Sequence, residues 1–169
     1  ITTVPQIFRK ADYETYNGTK DDYNFSYRRS DLYTIPRNLP RELVYSRESG
    51  GGYGKNVKGP QGAGDWRDVP KNQAFFGQMQ VSGGKSVTNI KEVLSDYGIR
   101  PITAKDVEVP RQYPDTPLVR EHIAKHYMSI QRTDQEVGET IARLKADGLW
   151  ENTIIFLFSD HLTSFLHCL

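Results

Sequence analysis

Apolar side chains recur every three, four or seven residues along residues 117–147. That spacing predicts a long amphipathic helix that starts after Thr116, carries Pro117 in its first turn and ends at Gly148. An uninterrupted apolar run, rich in β-branched and aromatic side chains, follows at residues 153–158. We expect a strand there, buried on both faces of a parallel sheet. A helix, a glycine-containing turn and a buried strand form the second half of a βαβ unit, so the pattern predicts an α/β fold.

Shorter segments before the long helix show the same two kinds of pattern. Residues 4–13 have the spacing of a short amphipathic helix with a proline in its first turn. Residues 14–16 predict a brief strand, and residues 74–81 predict a second core strand with apolar side chains on both faces. Residues 90–97 predict a short helix that a glycine ends. The expected architecture is an α/β sheet with helices beside it.

Residues 24–68 break this regularity, because they are crowded with Tyr, Arg, Gly and Pro and show little periodicity. An irregular stretch of that length is unusual in a compact domain and is either functional or disordered. The arginines between residues 23 and 47 suit binding of an acidic sugar, although solvated loop charges are the commoner case. These arginines are Arg28, Arg29, Arg37, Arg41 and Arg47.

The composition of the chain mainly excludes certain partners and certain kinds of site. A chain of 169 residues can bury one ordinary core. Its 22 Lys and Arg against 21 Asp and Glu give a net charge of +1, which makes nucleic acid or an anionic membrane a poor default partner. No apolar run approaches the roughly 20 residues that span a bilayer. The single Cys168 excludes an internal disulfide and a multi-cysteine zinc site.

Candidate chemistry lies where the predicted strands end. Asp160 and His161 follow the apolar run, and ligands of open α/β sheets bind at the carboxyl ends of the strands. A carboxylate suits Ca²⁺ or Mg²⁺, and an imidazole suits a softer metal or an anion, but an aspartate at such a junction also commonly caps a helix. Lys20 and Asp22 follow the first strand, and Lys85 follows a glycine pair after the second. These lysines suit binding of an anion, or they are exposed surface charges.

Three consecutive blocks carry a family resemblance. They are residues 127–138 (YMSIQRTDQEVG), 149–155 (LWENTII) and 158–161 (FSDH). They resemble the sulfatase family of the alkaline phosphatase superfamily, in which a YY-x-SI-x-x-x-D-x-x-VG helix leads through GL-x-x-NT into a central strand that ends in SDHG or SDNG. Upstream segments look like further blocks of this family: residues 5–15, 17–25, 74–80 and 109–117. The resemblance implies that residues 1–169 are part of a catalytic domain, with an incomplete alkaline-phosphatase-like mixed sheet flanked by helices.

The resemblance also implies an activity. Sulfatases hydrolyse sulfate esters or sulfamates with a formylglycine nucleophile and a Ca²⁺ ion, so a sulfated carbohydrate or another small sulfated molecule is the implied substrate. By position, Asp160 and His161 resemble calcium-site residues, and His161 also resembles a substrate contact. Lys20 resembles the lysine beside the formylglycine, a catalytic and substrate-binding position.

Two further positions follow from the resemblance. Asp22 falls where many sulfatases have a substrate-binding histidine. Lys85 or Ser86 falls where the family places a sulfate-contacting side chain, which for Lys85 includes a catalytic role.

Departures from the family pattern are equally informative. The chain has no C/S-x-P-x-R segment, Leu162 replaces the glycine of SDHG, and residues 162–169 form an atypical tail. We therefore expect an interior fragment of a sulfatase similar to heparan N-sulfatase and related bacterial enzymes, inactive by itself. The resemblance implies a periplasmic or secreted parent protein. Two alternatives are a phosphoester hydrolase of the same superfamily and a non-catalytic remnant that binds acidic sugars.

Overall fold

A computed structural model describes residues 1–17, 23, 25–35, 44–45, 65–79, 81 and 94–159. The chain divides into two compact units, residues 1–80 and 81–169. Among the residues whose structure is described, no helix combines the length and apolarity needed to cross a membrane. Helices and a small parallel sheet together confirm the predicted α/β class, consistent with part of an alkaline-phosphatase-like fold.

Over its described residues, the first unit contains two short helices and four short strands. In chain order they are α1 (Val4–Lys10), β1 (Glu14–Asn17), β2 (Tyr27–Arg28), α2 (Arg29–Leu32), β3 (Val44–Tyr45) and β4 (Phe75–Gln78), with a 3₁₀ turn at Trp66–Asp68 before β4. β1 and β4 pair in parallel, and β2 and β3 pair antiparallel. The strands predicted at residues 14–16 and 74–81 are thereby confirmed.

The helix α1 confirms the pattern at residues 4–13, although its apolar positions do not all face the core. The backbone N–H of Thr3 donates to Oε1 of Gln6 at 3.0 Å, which stabilises the first turn. Phe8 stacks on Phe76 of β4, with 4.4 Å between the ring centroids. Val4 and Ile7 stay 53% and 55% exposed. Within this unit, Phe8 provides one contact of the helix with the sheet, and Pro5 is the buried residue of the helix.

Local order extends into the region expected to be irregular. Over the described part of residues 24–68, α2 ends at Leu32 and is followed by Tyr33 and Ile35, and these three residues are at most 2% exposed. Tyr33 and Leu32 form a core cluster with Tyr27. Composition alone did not predict this, because the buried side chains here include tyrosines and an arginine, which also occur in loops.

The second unit is organised by α3 (Pro117–Ala146), a helix of 30 residues. Oγ1 of Thr116 accepts a hydrogen bond from the backbone N–H of Val119 at 3.3 Å, and Gly148 follows the helix with φ +70°. The predicted helix and both of its terminating signals are confirmed. The predicted helix at residues 90–97 is confirmed over its described part, residues 94–96, and Gly98 ends it with φ +67°.

One stripe of α3 is buried against the irregular segment before it. Val119 and Ile123 pack with Val107, and Met128 packs with Leu94. The guanidinium of Arg120 binds the carboxylate of Asp115 and the backbone carbonyl of Val107, the latter at 2.9 Å. These contacts fix the preceding segment on the helix.

The apolar run at residues 153–158 does not form the predicted buried strand. Ile154, Phe156 and Phe158 are 82–83% exposed, and no strand is assigned over residues 153–159. The described residues of this second unit include no strand to pair with, and an unpaired strand leaves its backbone N–H and C=O groups without a ladder. The prediction is therefore wrong for this segment as the structure describes it.

Candidate active site at the carboxyl edge of the parallel sheet

The parallel sheet brings two chain exits together. Asn17, the last residue of β1, is the register partner of Gln78, the last residue of β4. In the sequence, Lys20 comes three positions after Asn17 and Lys85 comes seven after Gln78. Because the strands are parallel, both end at one edge of the sheet, which is the edge where α/β proteins bind ligands.

All side chains assigned to the site from the sequence lie outside the residues that the structure describes. They are Lys20, Asp22, Lys85, Ser86, Asp160 and His161. The arginines Arg37, Arg41 and Arg47 and the tail at residues 162–169 lie outside them too. The roles of these residues remain predictions. The structure does describe the residues around Asn17, which ends β1 three positions before Lys20.

Tyr33 lies at the centre of the residues around Asn17. Its hydroxyl donates to Oε1 of Gln78 at 2.9 Å and accepts from Nδ2 of Asn17 at 3.2 Å. The hydroxyl of Tyr23 lies 3.4 Å from it. Tyr33 is 2% exposed and Asn17 is 4% exposed, so these hydrogen bonds replace contacts with water. One hydroxyl therefore connects the carboxyl ends of two strands.

The side chain of Arg29 binds the backbone at the same strand end. Its Nη2 donates to the carbonyl oxygen of Asn17 at 2.8 Å, and its guanidinium carbon lies 5.1 Å from the ring centroid of Tyr33, within the range of a cation–π interaction. Arg29 is 2% exposed, so the interpretation of this residue as a solvated loop charge or a sugar contact is wrong. Arg28, its neighbour, is exposed. We call Asn17, Arg29, Tyr33 and Gln78 the edge cluster.

Local structure explains how the edge cluster forms. Arg29 begins α2, and the backbone N–H of Tyr33 donates to the Arg29 carbonyl at 2.8 Å, so one helical turn places both side chains on the same side. Thr15 of β1 then fixes the following residues: its hydroxyl donates to the carbonyl of Leu32 at 2.8 Å, and its carbonyl accepts from the backbone N–H of Thr34 at 2.9 Å. The segment that carries Tyr33 therefore lies directly beside β1.

The sequence offered one unused signal for this cluster. Asn17 is a polar residue directly after the strand predicted at residues 14–16, which is where functional side chains of a parallel sheet gather, whereas Gln78 lies inside the strand predicted at residues 74–81. No spacing rule connected Arg29 or Tyr33 to them, because α2 is only four residues long and its region lacks periodicity.

Among the described residues, the titratable groups with a shifted pKa lie in the second unit. Burial lowers the pKa of His126, and the charge of His122 on the preceding turn lowers it further. The pKa of Asp115 is lowered chiefly by its hydrogen bonds from Arg120. Within the described part of the chain, no group of three or more His, Cys, Asp or Glu side chains could hold a metal ion. His122 and His126 lie four residues apart on α3.

These features define an α/β protein with buried polar side chains gathered at the carboxyl edge of a parallel sheet. The chain belongs to the sulfatase family, since the family model described as Sulfatase matches residues 1–167. The family resemblance read from the sequence motifs is thereby confirmed.

A characterised relative supports the same assignment over a shorter stretch. The chain is 43% identical over 53 residues to a protein named "Ulvan-active sulfatase" from Formosa agariphila. That match covers 31% of this chain and 9% of the relative, so the chain spans only a small part of that protein's length. No solved structure matches the chain significantly.

Proposed function

We propose that this chain is part of the catalytic domain of a sulfatase that hydrolyses sulfate esters or sulfamates of carbohydrates. Membership of the sulfatase family supports hydrolysis of a sulfuric ester as the reaction class. The observation that carries the site proposal is the parallel pairing of Asn17 with Gln78, since both strands end at one edge and each is followed in sequence by a lysine.

The proposed roles follow from the charge of the substrate. Lys20 and Lys85 neutralise negative charge on the sulfate group and on the leaving oxygen, which is the kind of electrostatic stabilisation that lowers a barrier most. Asp22 and Ser86 contact the substrate and set its orientation. A lysine in such a site supplies a compact point charge. A neutral side chain there cannot neutralise the negative charge of the sulfate group.

Asp160 and His161 are proposed to lie at the calcium site. A carboxylate oxygen is the donor that Ca²⁺ prefers, and an imidazole nitrogen beside it suits a hydrogen bond to the bound sulfate. Bound Ca²⁺ would supply positive charge that orients the sulfate group. The formylglycine nucleophile is proposed to come from a part of the protein outside this chain, because no C/S-x-P-x-R segment occurs in it. The 169 residues alone should then not turn over substrate.

The proposed substrate class is a sulfated polysaccharide, and the proposed location is periplasmic or secreted. The name of the relative from Formosa agariphila, an ulvan-active sulfatase, supports a carbohydrate substrate. The match to that relative extends over 53 residues.

The test uses the full-length protein with its nucleophile converted to formylglycine. Inorganic sulfate release is measured from ulvan, from heparan sulfate and from 4-nitrophenyl sulfate, and phosphate release from 4-nitrophenyl phosphate is measured beside them. We expect sulfate release from at least one substrate and none above background in Lys20→Ala. Phosphate release without sulfate release would instead establish the phosphoester hydrolase.

Metal dependence separates the same two alternatives. After treatment with a chelator, we expect activity to return with Ca²⁺ and not with Zn²⁺, because oxygen donors suit the harder ion. Restoration by two equivalents of Zn²⁺ would contradict the sulfatase proposal.

A further inference from the structure

We infer that Gln78 is a substrate-binding residue: at the carboxyl edge of the parallel sheet, its side-chain amide donates a hydrogen bond to an oxygen of the sulfate group. The inference rests on the proposed function, because its ligand is the sulfate group of the proposed substrate.

The first step is the position of Gln78 in the sheet. It is the last residue of β4 and pairs in register with Asn17, the last residue of β1. Side chains alternate between the two faces of a strand, so Gln78 shares a face with Phe76, which stacks on Phe8 of α1. Gln78 is the next residue on that face in the direction of the carboxyl edge, where α/β proteins bind ligands.

The second step is the orientation of the Gln78 amide. The Tyr33 hydroxyl carries one proton and donates it to Oε1 of Gln78 at 2.9 Å. The same hydroxyl accepts a hydrogen bond from Nδ2 of Asn17 at 3.2 Å, and an amide nitrogen can only donate. The contact with Asn17 therefore directs the proton of Tyr33 away from Asn17, and Oε1 of Gln78 receives it. Because Tyr33 is 2% exposed, water does not compete for this proton.

The third step concerns the donors that remain on Gln78. Besides its acceptor oxygen, a glutamine amide carries N–H donors on Nε2. Among the described residues, Nε2 of Gln78 has no hydrogen-bond acceptor, and the side chain is only half-buried. With Oε1 engaged by Tyr33, this amide can only donate to a ligand.

The fourth step matches this donor to a ligand atom. Sulfate oxygens only accept hydrogen bonds, whereas a sugar hydroxyl also carries a proton that needs an acceptor. The amide of Gln78 satisfies the first requirement and not the second. A hydrogen bond to a charged group is also worth more than one between neutral groups, which favours the sulfate oxygen further.

The experiment compares Gln78→Glu and Gln78→Met in the full-length protein. Glutamate keeps an acceptor for Tyr33, but it removes the N–H donors and brings a negative charge towards the sulfate group. Methionine removes the donors without adding a charge. The matched control is Asn72→Asp, at an exposed residue before the amino end of β4. Asn72 has φ +68°, a conformation that aspartate also adopts, so the control adds a carboxylate without a change in the backbone.

The first measurement is of kcat and KM, with the substrate from which the wild-type protein releases sulfate. We expect KM to rise about tenfold in Gln78→Met, because a hydrogen bond to a charged group is lost. The rise should be larger in Gln78→Glu, where the carboxylate also repels the sulfate group. Because the contact is made in the ground state and in the transition state alike, kcat should change little. The Asn72→Asp control should keep the wild-type KM.

A second measurement does not require turnover. Inorganic sulfate presents the same kind of oxygen, and a ligand that binds the folded state raises the unfolding temperature. Thermal unfolding of each protein is recorded in sodium sulfate and in sodium chloride at equal ionic strength. The general stabilising effect of sulfate on folded proteins is common to all variants and cancels in the comparison. We expect sulfate to raise the unfolding temperature less in both Gln78 variants than in the wild-type protein and the control.

The outcomes separate the inference from the proposed function. A wild-type KM in Gln78→Glu overturns the inference, and so does a sulfate effect on unfolding that is equal in all four proteins. A purely structural role of Gln78 gives that second result, because it lowers the unfolding temperature in both salts alike. If the wild-type protein releases no sulfate from any substrate, the proposed function fails, and the sulfate effect on unfolding alone decides whether Gln78 binds a sulfate oxygen.

Discussion

Two segments of this chain lead directly into predicted site residues, and they behave in opposite ways. β1 (Glu14–Asn17) has one large apolar side chain, precedes Lys20, and is buried over its last three residues. Residues 153–158 are almost entirely apolar, precede Asp160, and are exposed over most of their length. The more polar segment is the one that forms a strand.

The difference lies in the neighbours. β1 pairs with β4 on one side, and on the other Thr15 and Tyr16 bond or bridge to residues 34 and 35. Its polar side chains find partners there, as when the Thr15 hydroxyl donates to the Leu32 carbonyl. Residues 153–158 have no such neighbour in the described part of the second unit. Apolar composition therefore describes where a segment could be buried, whereas pairing decides whether it becomes a strand.

The largest expected effect tests whether residues 153–158 gain neighbours in the full-length protein. Soluble proteins rarely expose a continuous apolar patch of this kind, so we expect the segment to be covered there. Phe156→Asp should then cost at least about 3 kcal/mol in the free energy of unfolding, because it removes a buried ring and buries a carboxylate. Chemical denaturation of the full-length variant measures this.

The control for that experiment is Phe156→Leu, which keeps an apolar side chain and should cost less than about 1.5 kcal/mol. If both variants lie within about 0.5 kcal/mol of the wild-type protein, the segment is as exposed in the whole protein as in this chain. The contrast with β1 would then be a permanent feature of the protein.

The pairing of β1 with β4 is tested at Gly77. The Tyr16 ring lies where a Cβ at Gly77 would be, so any side chain there overlaps the ring. We expect Gly77→Ala to destabilise the protein by about 2 kcal/mol, as overpacking does when the neighbour is a buried ring. Tyr16 is 3% exposed and has little room to move.

Gly138 in α3 is the matched control, because nothing lies within 4 Å of the position of its Cβ. Gly138→Ala should stabilise the protein by about 0.5–1 kcal/mol, since alanine is the better helix former. Thermal unfolding of both variants gives the comparison. Equal effects of the two substitutions would mean that the Tyr16 ring does not lie over β4.

Elements whose hydrogen bonds are internal were predictable from sequence. The long helix was predicted with its start at Thr116 and its end at Gly148, because the apolar period and the capping residues are all local signals. The strand expected at residues 153–158 is wrong, because a strand needs a partner and the apolar pattern of the segment carries no information about one. The same reason explains why α2 and Tyr33 escaped prediction: their burial depends on Thr15, more than fifteen residues away.

The residues of the candidate site also differ in how far the sequence predicts them. Family motifs pointed to Lys20, which follows β1, and to Asp160, which follows the apolar run, because both have recognisable neighbours in sequence. Arg29 resembled a loop charge, and only its contact with the Asn17 carbonyl shows that it belongs to the sheet edge. Motifs therefore indicate candidate site residues, whereas the contact that joins Arg29 to the sheet edge becomes visible only in three dimensions.

A smaller effect tests whether a local hydrogen bond maintains the start of α3. Oγ1 of Thr116 accepts from the backbone N–H of Val119, so Thr116→Ala should cost about 1 kcal/mol. Thr116→Ser keeps the acceptor and should cost much less. Urea unfolding can resolve this difference, and an alanine variant as stable as the serine variant would show that tertiary packing alone, as in β1, maintains the start of this helix.

The smallest effect concerns His126, where the helix face is half-buried. Burial, and secondly the charge of His122, lower the pKa of His126 below its ordinary value of 6.5, so the folded state favours the neutral imidazole. The unfolded state then binds a proton more readily than the folded state does. Stability from this group is therefore fully present above pH 6.5 and decreases as the pH falls through that value. Unfolding free energies measured across this range should decline less steeply in His126→Gln than in the wild-type protein. Parallel pH profiles would mean that this part of α3 is as open to solvent as residues 153–158.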